Sequence, residues 1–204
     1  MLIGNYFENL EPKYRKHYFT GINFNSQLCK KNNIFFAIRG INVDGNKFVK
    51  DAITKGAKTI VHDKKFEGLK DGVLYLSLKN VRKTLAETSY KINSSKIPNL
   101  IAVTGTNGKS SICNFYFQIL NLNKKKVASI GTLGVKTKSV NFSMTNTTTN
   151  PLQLSKHLKY LSKKKIDNII LEASSHGLKQ HRLDGLKFNK GIFTNLSHDH
   201  LDYH

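Results

Sequence analysis

Residues 99–111, Asn-Leu-Ile-Ala-Val-Thr-Gly-Thr-Asn-Gly-Lys-Ser-Ser, decide the fold of this chain. The apolar run at the start is typical of a strand that is covered on both faces. Gly105 and Gly108 allow a tight turn and a close approach of the backbone to a ligand. Lys109 adds a positive charge and Ser110 a hydroxyl, and a helix that begins here directs free N–H groups at the loop. Together these features predict a phosphate-binding loop.

The loop is a shortened relative of the common phosphate loop, because Val103 stands where the usual pattern has a glycine. A plain glycine turn is the alternative interpretation, but it leaves Lys109 and Ser110 without a role. Apolar residues at helical spacing follow the loop and predict a helix whose apolar stripe lies in the core. The members of that stripe are Ile112, Phe115, Tyr116, Ile119 and Leu120. The predicted phosphate-binding residues are Gly105, Thr106, Asn107, Gly108, Lys109, Ser110 and Ser111.

The composition is strongly basic. The chain has 204 residues and a formal net charge of +20 at pH 7, a balance that ordinarily suggests a nucleic-acid partner. Nearly all of the positive charge is lysine and the lysines are scattered, so we expect no nucleic-acid-binding face. No apolar run is long enough to span a membrane and the N-terminus lacks a signal pattern, which predicts a cytoplasmic protein without a membrane partner. Cys29 and Cys113 follow no metal-binding spacing, so we expect buried free thiols.

A linker-like segment, Asn93-Ser-Ser-Lys-Ile-Pro98, divides the chain into two predicted domains, residues 1–95 and residues 96–204. Strand and helix patterns alternate in the second domain, which implies a mainly parallel sheet. The predicted fold class is therefore α/β, with a small N-terminal α/β domain followed by a truncated P-loop-type central domain with a mainly parallel sheet. The predicted strands lie at residues 21–26, 34–38, 59–61, 73–76, 127–130, 166–173 and 191–195.

Polar side chains follow two strands of the predicted central sheet. Glu172-Ala-Ser-Ser-His176 comes after one strand and Asn195-Leu-Ser-His-Asp-His200 after another. Ligands bind at the carboxyl ends of such strands, and Mg²⁺ on nucleotide phosphates takes one or two carboxylates. Glu172 fits that role, and His200 could hold a second metal ion. Ser197 and Asp199 fit equally well as caps or turn formers, and the histidine spacing does not favour zinc.

Four motifs together resemble the Mur ligase family. They are Gly105-Thr-Asn-Gly-Lys-Ser110, Glu172-Ala-Ser-Ser-His-Gly177, Gln180-His-Arg182 and Asn195-Leu-Ser-His-Asp-His-Leu-Asp-Tyr-His204. The resemblance is strongest to the branch that adds the third residue of the peptidoglycan stem peptide. It runs through both predicted domains.

The resemblance implies an ATP-dependent amide ligase with Mg²⁺ as cofactor. ATP would phosphorylate the D-glutamate side chain of UDP-N-acetylmuramoyl-L-Ala-D-Glu, and the amine of meso-diaminopimelate or L-lysine would attack the acyl phosphate. Lys109, Glu172 and His200 are the implied catalytic residues, and Ser110, Glu172 and His200 the implied metal ligands. The implied substrate contacts are Phe24, Ser26, Ile41, Asn42, Val43, Asn146, Thr147, Thr148, Ser174, Gln180 and Arg182.

The resemblance also implies parts beyond residue 204: a carbamylated lysine that helps to hold metal, and a domain that binds the diamino acid. We therefore expect this chain to be a fragment that does not complete ligation by itself.

Two other classes of protein stay open at this point. One is a P-loop ATPase or GTPase, although no guanine-reading Asn-Lys-x-Asp motif is present. The other is a basic nucleic-acid-binding module, whose binding would collapse as salt rises.

Overall fold

The computed structural model describes residues 1–40, 42–144 and 146–197. The chain divides into two compact units, Met1–Thr88 and a second unit that begins at Ser89. The predicted domain boundary at residues 95 and 96 stays a prediction. Within the described residues, none of the helices is long and apolar enough to cross a membrane.

The first unit is built on a five-stranded sheet. Its strands are β1 (Gly21–Asn23), β2 (Asn33–Phe36), β3 (Ala57–His62), β4 (Gly68–Lys70) and β5 (Val73–Ser77). The strand order is β1-β2-β3-β5-β4, and only β4 is antiparallel to its neighbour. Every residue of β2 is buried, as expected for a central parallel strand that is covered on both faces.

Short helical segments complete this unit. They are α1 (Val49–Thr54), the start of α2 (Val81–Ile92), and 3₁₀ turns at Ile3–Asn5, Pro12–Tyr14, Ser26–Leu28 and Gly45–Phe48. Ala52 of α1 packs against Phe35 and Ile60 of the sheet, in a cluster that also holds the buried thiol of Cys29. Burial raises the pKa of the Cys29 thiol to about 11, so the thiol stays protonated at neutral pH.

The second unit is built on a six-stranded sheet. Its strands are β6 (Asn99–Thr104), β7 (Val127–Gly131), β8 (Gly134–Lys136), β9 (Asn141–Phe142), β10 (Asn168–Glu172) and β11 (Lys190–Phe193). The strand order is β11-β6-β10-β7-β8-β9. The first four strands in that order are parallel, and β8 and β9 add an antiparallel extension. The carboxyl ends of β11, β6, β10 and β7 therefore lie at one edge of the sheet.

Among its described residues, this unit holds the end of α2 and three further helices: α3 (Lys109–Leu122), α4 (Pro151–Lys163) and α5 (Ser175–Lys179). The polar segment that ends at Pro151, followed by Leu154, Leu158 and Leu161, predicts a helix here, and α4 begins at Pro151. The Asn150 side chain accepts a hydrogen bond from the Gln153 amide, and Pro151 occupies the first turn. Leu154, Leu158 and Leu161 of α4 are fully buried, as their spacing indicates.

The predicted core stripe of α3 is wrong in part. Phe115 and Ile119 are 59% and 58% exposed, whereas Cys113 and Phe117 are buried and form the inner face of the helix. Ile112 and Tyr116 lie between the two sets and pack against the core. The apolar arc of α3 is wider than one face, so periodicity identifies the helix without deciding which part of the arc meets the sheet.

The predicted fold class is confirmed: both units are α/β, and the second sheet is mainly parallel. Both cysteines are buried and unbonded to each other, as predicted. The sequence did not predict the short strands β4, β8 and β9. Strands of two or three residues carry too few alternating positions for a periodic signal.

Candidate functional site

A cavity of about 800 Å³ lies in the second unit, at the carboxyl ends of its parallel strands. Its lining gathers the loop after β6, the end of β10, the segment before α4 and the segment around α5. Every predicted site residue of this unit that the structure describes lines this cavity. These residues are Gly105, Thr106, Asn107, Gly108, Lys109, Ser110, Ser111, Asn146, Thr147, Thr148, Glu172, Ser174, Gln180 and Arg182.

The phosphate loop turns at two glycines with positive φ. Gly105 has φ +131° and Gly108 has φ +84°, a region that favours glycine. The Lys109 ammonium folds back over the loop and donates to the carbonyl oxygens of Gly105 and Thr106, at 2.6 and 2.7 Å. One of its three N–H donors is left over for a ligand. Lys109 is also the first residue of α3, so the free amides of the helix N-terminus face the same loop.

Glu172 is the buried carboxylate of the site, with 2% of its surface exposed. It accepts hydrogen bonds from the Ser110 hydroxyl at 2.9 Å, the Thr132 amide at 3.0 Å and the Thr132 hydroxyl at 3.1 Å. A carboxylate beside a hydroxyl is an oxygen donor set that suits Mg²⁺. Among residues 1–40, 42–144 and 146–197, no cluster of three or more histidine, cysteine, aspartate or glutamate residues offers another metal centre.

The glycine at the end of β7 makes room for this carboxylate. A Cβ atom on Gly131 would collide with the carboxylate group of Glu172. Cys113 lies nearby on α3, and burial together with the Glu172 charge raises the pKa of its thiol to about 12. The thiol therefore stays protonated at neutral pH and is not a nucleophile.

Thr148 connects the segment before α4 to the end of β10. Its hydroxyl donates to the Glu172 carbonyl oxygen at 2.8 Å and accepts from the amide and the hydroxyl of Ser174, at 2.9 and 3.0 Å. Ser174 in turn caps α5 by accepting from the Gly177 amide at 3.1 Å. All the hydrogen-bonding capacity of the Thr148 hydroxyl is used in this way. Its predicted contact with substrate stays a prediction.

Arg182 is held in one orientation. Its Nη1 donates to the Thr148 carbonyl oxygen, and its Nε and Nη2 donate to the Gln180 side-chain oxygen at 3.2 and 2.8 Å. The Tyr90 hydroxyl donates to the Arg182 carbonyl oxygen at 2.7 Å. A fixed guanidinium at the wall of the cavity is suited to a carboxylate or phosphate ligand.

We predict that Thr148→Val will destabilise the chain by about 3 kcal/mol, since it removes three hydrogen bonds and leaves buried partners unpaired. Thr148→Ser keeps the hydroxyl and should cost only about 1 kcal/mol for the lost methyl group. Urea-induced unfolding followed by circular dichroism measures both losses. A loss in Thr148→Val that is no larger than the loss in Thr148→Ser would contradict the stabilising role of these three hydrogen bonds.

The predicted substrate residues of the first unit follow two neighbouring parallel strands. Phe24 comes directly after β1 and is 38% exposed, and Ser26 begins the 3₁₀ turn that follows and is buried. Asn42 and Val43 are exposed in the loop that follows β2. The two loops therefore leave the same edge of the sheet.

The loop after β2 is braced by polar contacts that the sequence analysis missed. Arg39 forms an ion pair with Asp63 at 3.2 Å. Asp44 accepts hydrogen bonds from the amide and the side chain of Asn46, which lower the pKa of the Asp44 carboxyl group. Asn46 also donates to Asp63, at 3.0 Å. The Asp-Gly pair at residues 44 and 45 is typical of a turn, but Asp63, the partner of Arg39 and Asn46, is too distant in sequence to be recognised.

Ile41 and residues 198–204, which include Asp199 and His200, were named in the sequence analysis and lie outside the described residues. Their assignments stay predictions. The structure adds residues to the cavity wall that the sequence analysis did not assign to the site, of which Thr132 has the clearest contact, with Glu172. Its position one residue beyond a parallel strand was the available signal.

Fold and site together define the second unit as a P-loop-type α/β domain. Two family models match the chain: the Mur ligase middle domain over residues 103–204, and the Mur ligase family catalytic domain over residues 18–91. The chain therefore belongs to the Mur ligase family, which confirms the resemblance of its motifs.

Similar curated proteins carry one name, UDP-N-acetylmuramoyl-L-alanyl-D-glutamate--2,6-diaminopimelate ligase. The protein of that name from Rickettsia montanensis is 42% identical over 200 residues, which cover 96% of this chain and 41% of the relative. The one from Clostridium tetani is 41% identical over 187 residues, which cover 90% of this chain and 39% of the relative. The chain thus spans about two fifths of the length of these relatives.

Solved structures give the same grouping. A UDP-N-acetylmuramoyl-L-alanyl-D-glutamate--2,6-diaminopimelate ligase matches with a TM-score of 0.83 and 26% identity, over 100% of this chain and 42% of that protein. The MurF ligase from Thermotoga maritima in complex with ADP matches with a TM-score of 0.54 and 19% identity, over 85% of this chain and 37% of that protein. The second match shows a shared fold only.

Proposed function

We propose that this chain carries the nucleotide-phosphate and carboxylate-substrate sites of an ATP-dependent amide ligase. The substrate would be UDP-N-acetylmuramoyl-L-Ala-D-Glu, and the amine 2,6-diaminopimelate, as the names of the relatives suggest. One observation carries the proposal: a single cavity gathers the phosphate loop, the buried Glu172 and the fixed Arg182. A ligase that joins two anionic substrates needs these elements together. The cytoplasmic location of the sequence analysis is part of the same proposal.

The phosphate half of the cavity suits ATP. The amides at the start of α3 and the remaining N–H of Lys109 would bind the β- and γ-phosphates. Ser110 and Glu172 supply the oxygen atoms that would hold Mg²⁺, and their contact at 2.9 Å brings the two donors together. Bound Mg²⁺ would neutralise phosphate charge and polarise the transferred phosphoryl group.

The other half suits a carboxylate. In the proposed reaction a carboxylate oxygen of D-glutamate attacks the γ-phosphorus of ATP, which forms an acyl phosphate and releases ADP. The amine then attacks the acyl carbon, the C–O bond to phosphate breaks, and inorganic phosphate leaves with the amide formed. Arg182 would orient an anionic group of the substrate through its guanidinium, and Asn146 and Thr147 would contact the peptide. Phe24, Ser26, Asn42 and Val43 would contact the uridine diphosphate end in the first unit.

Calorimetric titration tests this proposal. We expect UDP-N-acetylmuramoyl-L-Ala-D-Glu to bind about tenfold more tightly than UDP alone, because the peptide carboxylates add a charge-assisted contact. Arg182→Ala should remove that difference. Arg15→Ala is the matched control, since the Arg15 guanidinium also donates to backbone carbonyl oxygens, in a segment outside the predicted substrate loops.

Equal binding of UDP and the full substrate would contradict the assignment of the peptide site. Binding of neither ligand by the folded chain would contradict the ligase and favour a P-loop nucleotide hydrolase. Hydrolysis of ATP without any carboxylate substrate would then be the measurement that identifies the hydrolase.

A further inference from the structure

The segment Thr194-Asn-Leu-Ser197, which we call the Asn195 strap, lies against the phosphate loop. Its residues form six hydrogen bonds with Thr106 and Asn107. The Thr106 hydroxyl pairs reciprocally with the backbone of Ser197, at 3.2 and 3.0 Å. The strap follows β11, which pairs with β6, the strand that leads into the loop. Loop and strap are therefore fixed by the same pair of strands.

Asn195 accepts hydrogen bonds from two backbone amides of the phosphate loop. The Thr106 amide donates to the Asn195 carbonyl oxygen and the Asn107 amide donates to the Asn195 side-chain oxygen, both at 3.0 Å. The Asn195 side-chain amide and the Thr194 hydroxyl donate in return to the Asn107 carbonyl oxygen, at 3.3 and 2.6 Å. Both oxygen atoms of Asn195 and its side-chain nitrogen are thus bound to the loop, and Asn195 is not among the residues that line the cavity.

Lys109 forms hydrogen bonds with the carbonyl oxygens of the same two peptide groups. Its ammonium donates to the carbonyl oxygens of Gly105 and Thr106, whose peptide groups carry the amides of Thr106 and Asn107. Two successive peptide groups are therefore bound by Asn195 through N–H and by Lys109 through C=O. Hydrogen bonds on both ends of one peptide group polarise and strengthen each other. The position of the Lys109 ammonium consequently depends on Asn195.

Gly105 packs so closely against the Asn195 strap that no side chain would fit between them. A Cβ atom on Gly105 would collide with the Thr194 hydroxyl and would come within 2.9 Å of the Asn195 carbonyl oxygen. The loop lacks the earlier glycine of the usual pattern, which Val103 replaces. Because the loop has one glycine fewer than the usual pattern, we infer that its conformation depends more on the hydrogen bonds from the strap.

We propose that Asn195 is a positioning residue for nucleotide binding: it fixes the two peptide groups on which Lys109 rests and so prearranges the loop for phosphate. The inference rests on the proposed nucleotide site. Asn195 acts through the loop, without touching the nucleotide. Prearrangement lowers the cost of ordering on binding, so its loss appears as weaker affinity for any ligand that the loop holds by its phosphates.

Asn195→Ala tests this role against a closely matched control. Asn189 is also an exposed asparagine next to β11. Its side-chain oxygen accepts a hydrogen bond from the Leu100 backbone amide at 2.8 Å. The backbone amide of Asn189 donates to the Leu100 carbonyl oxygen, also at 2.8 Å. That pair lies at the opposite end of β6 from the phosphate loop. Asn189→Ala therefore removes a similar contact from the same pair of strands without reaching the cavity.

We expect Asn195→Ala to weaken binding of Mg·ATP and of inorganic tripolyphosphate by about tenfold each, and Asn189→Ala to change both by less than about twofold. Calorimetry of the 204-residue chain measures the affinities. Amide hydrogen exchange gives a readout without ligand: Asn195→Ala should speed exchange at the Asn107 amide, and Asn189→Ala should not.

The outcomes separate the inference from the function on which it rests. Failure of the unsubstituted chain to bind either phosphate probe overturns the nucleotide site and the inference with it. Binding by the unsubstituted chain that Asn195→Ala leaves unchanged overturns the inference alone. Equal losses in Asn195→Ala and Asn189→Ala also overturn it, since they would reflect general stability.

Discussion

Lys109→Met will weaken the binding of Mg·ATP by about a hundredfold, the largest loss we expect from any single substitution in the phosphate loop. The Lys109 ammonium sits over the loop and keeps one N–H for a ligand. A charged hydrogen bond to phosphate is worth about 2–3 kcal/mol, which corresponds to a factor of roughly 30 to 150. Methionine keeps the length and the apolar stem of the side chain. The loss will therefore report on the ammonium group, through its charge and its hydrogen bonds.

Isothermal titration in about 0.15 M salt is the measurement, because the chain carries a net charge of +20 and attracts ATP without specificity at low ionic strength. Lys156→Met is the control: Lys156 is exposed on α4 and contributes the same charge outside the cavity lining. It should change the affinity by less than about twofold. Equal losses in the two variants would mean that ATP responds to net charge, and would refute a specific phosphate loop.

The phosphate loop was predictable because its signals are local. The apolar run of β6, the glycines at 105 and 108, and the start of α3 lie within one short stretch, and each has a physical role that the structure bears out. Glu172 could be placed because it ends an apolar strand, and parallel strands bring their carboxyl ends to one edge. The leucine spacing of α4 was a local signal of the same kind.

The contacts between these parts were not predictable, because they join residues far apart in sequence. Hydrogen bonds join Thr148 to Ser174, Thr132 to Glu172, and Asn195 to Asn107, although the two residues of each pair are far apart in sequence. Threonine and asparagine are common turn residues, so their sequence context predicts caps as readily as long-range partners. Only the strand order of the sheet decides which of these polar residues become neighbours.

On the proposed function, we expect the carboxylate of Glu172 to have opposite effects on nucleotide binding with and without a cation. It touches the Ser110 hydroxyl, at the first turn of the helix whose N-terminus would bind phosphate. An unscreened carboxylate there repels the phosphates, since like charges at short range in a buried site repel strongly. With Mg²⁺ bound there, the same carboxylate would serve as a ligand and the repulsion would give way to attraction. Glutamine at this position would lose both effects.

We therefore expect the order of affinities to reverse with the metal. In EDTA, Glu172→Gln should bind ATP more tightly than the unsubstituted chain, by up to about tenfold; in Mg²⁺ it should bind about tenfold less tightly. Glutamine keeps the size of the side chain and an oxygen that can accept from the Thr132 amide, so the fold should hold. The measurement is calorimetry in the two buffers, with thermal unfolding of each variant as the control for stability.

Thr132→Val supplies a comparison, because it removes the hydroxyl contact with Glu172 and leaves the charge. The affinity of this variant for ATP should still rise with Mg²⁺. A Glu172→Gln variant that gains as much affinity from Mg²⁺ as the unsubstituted chain would exclude Glu172 as the metal ligand, whatever its effect on ATP binding in EDTA.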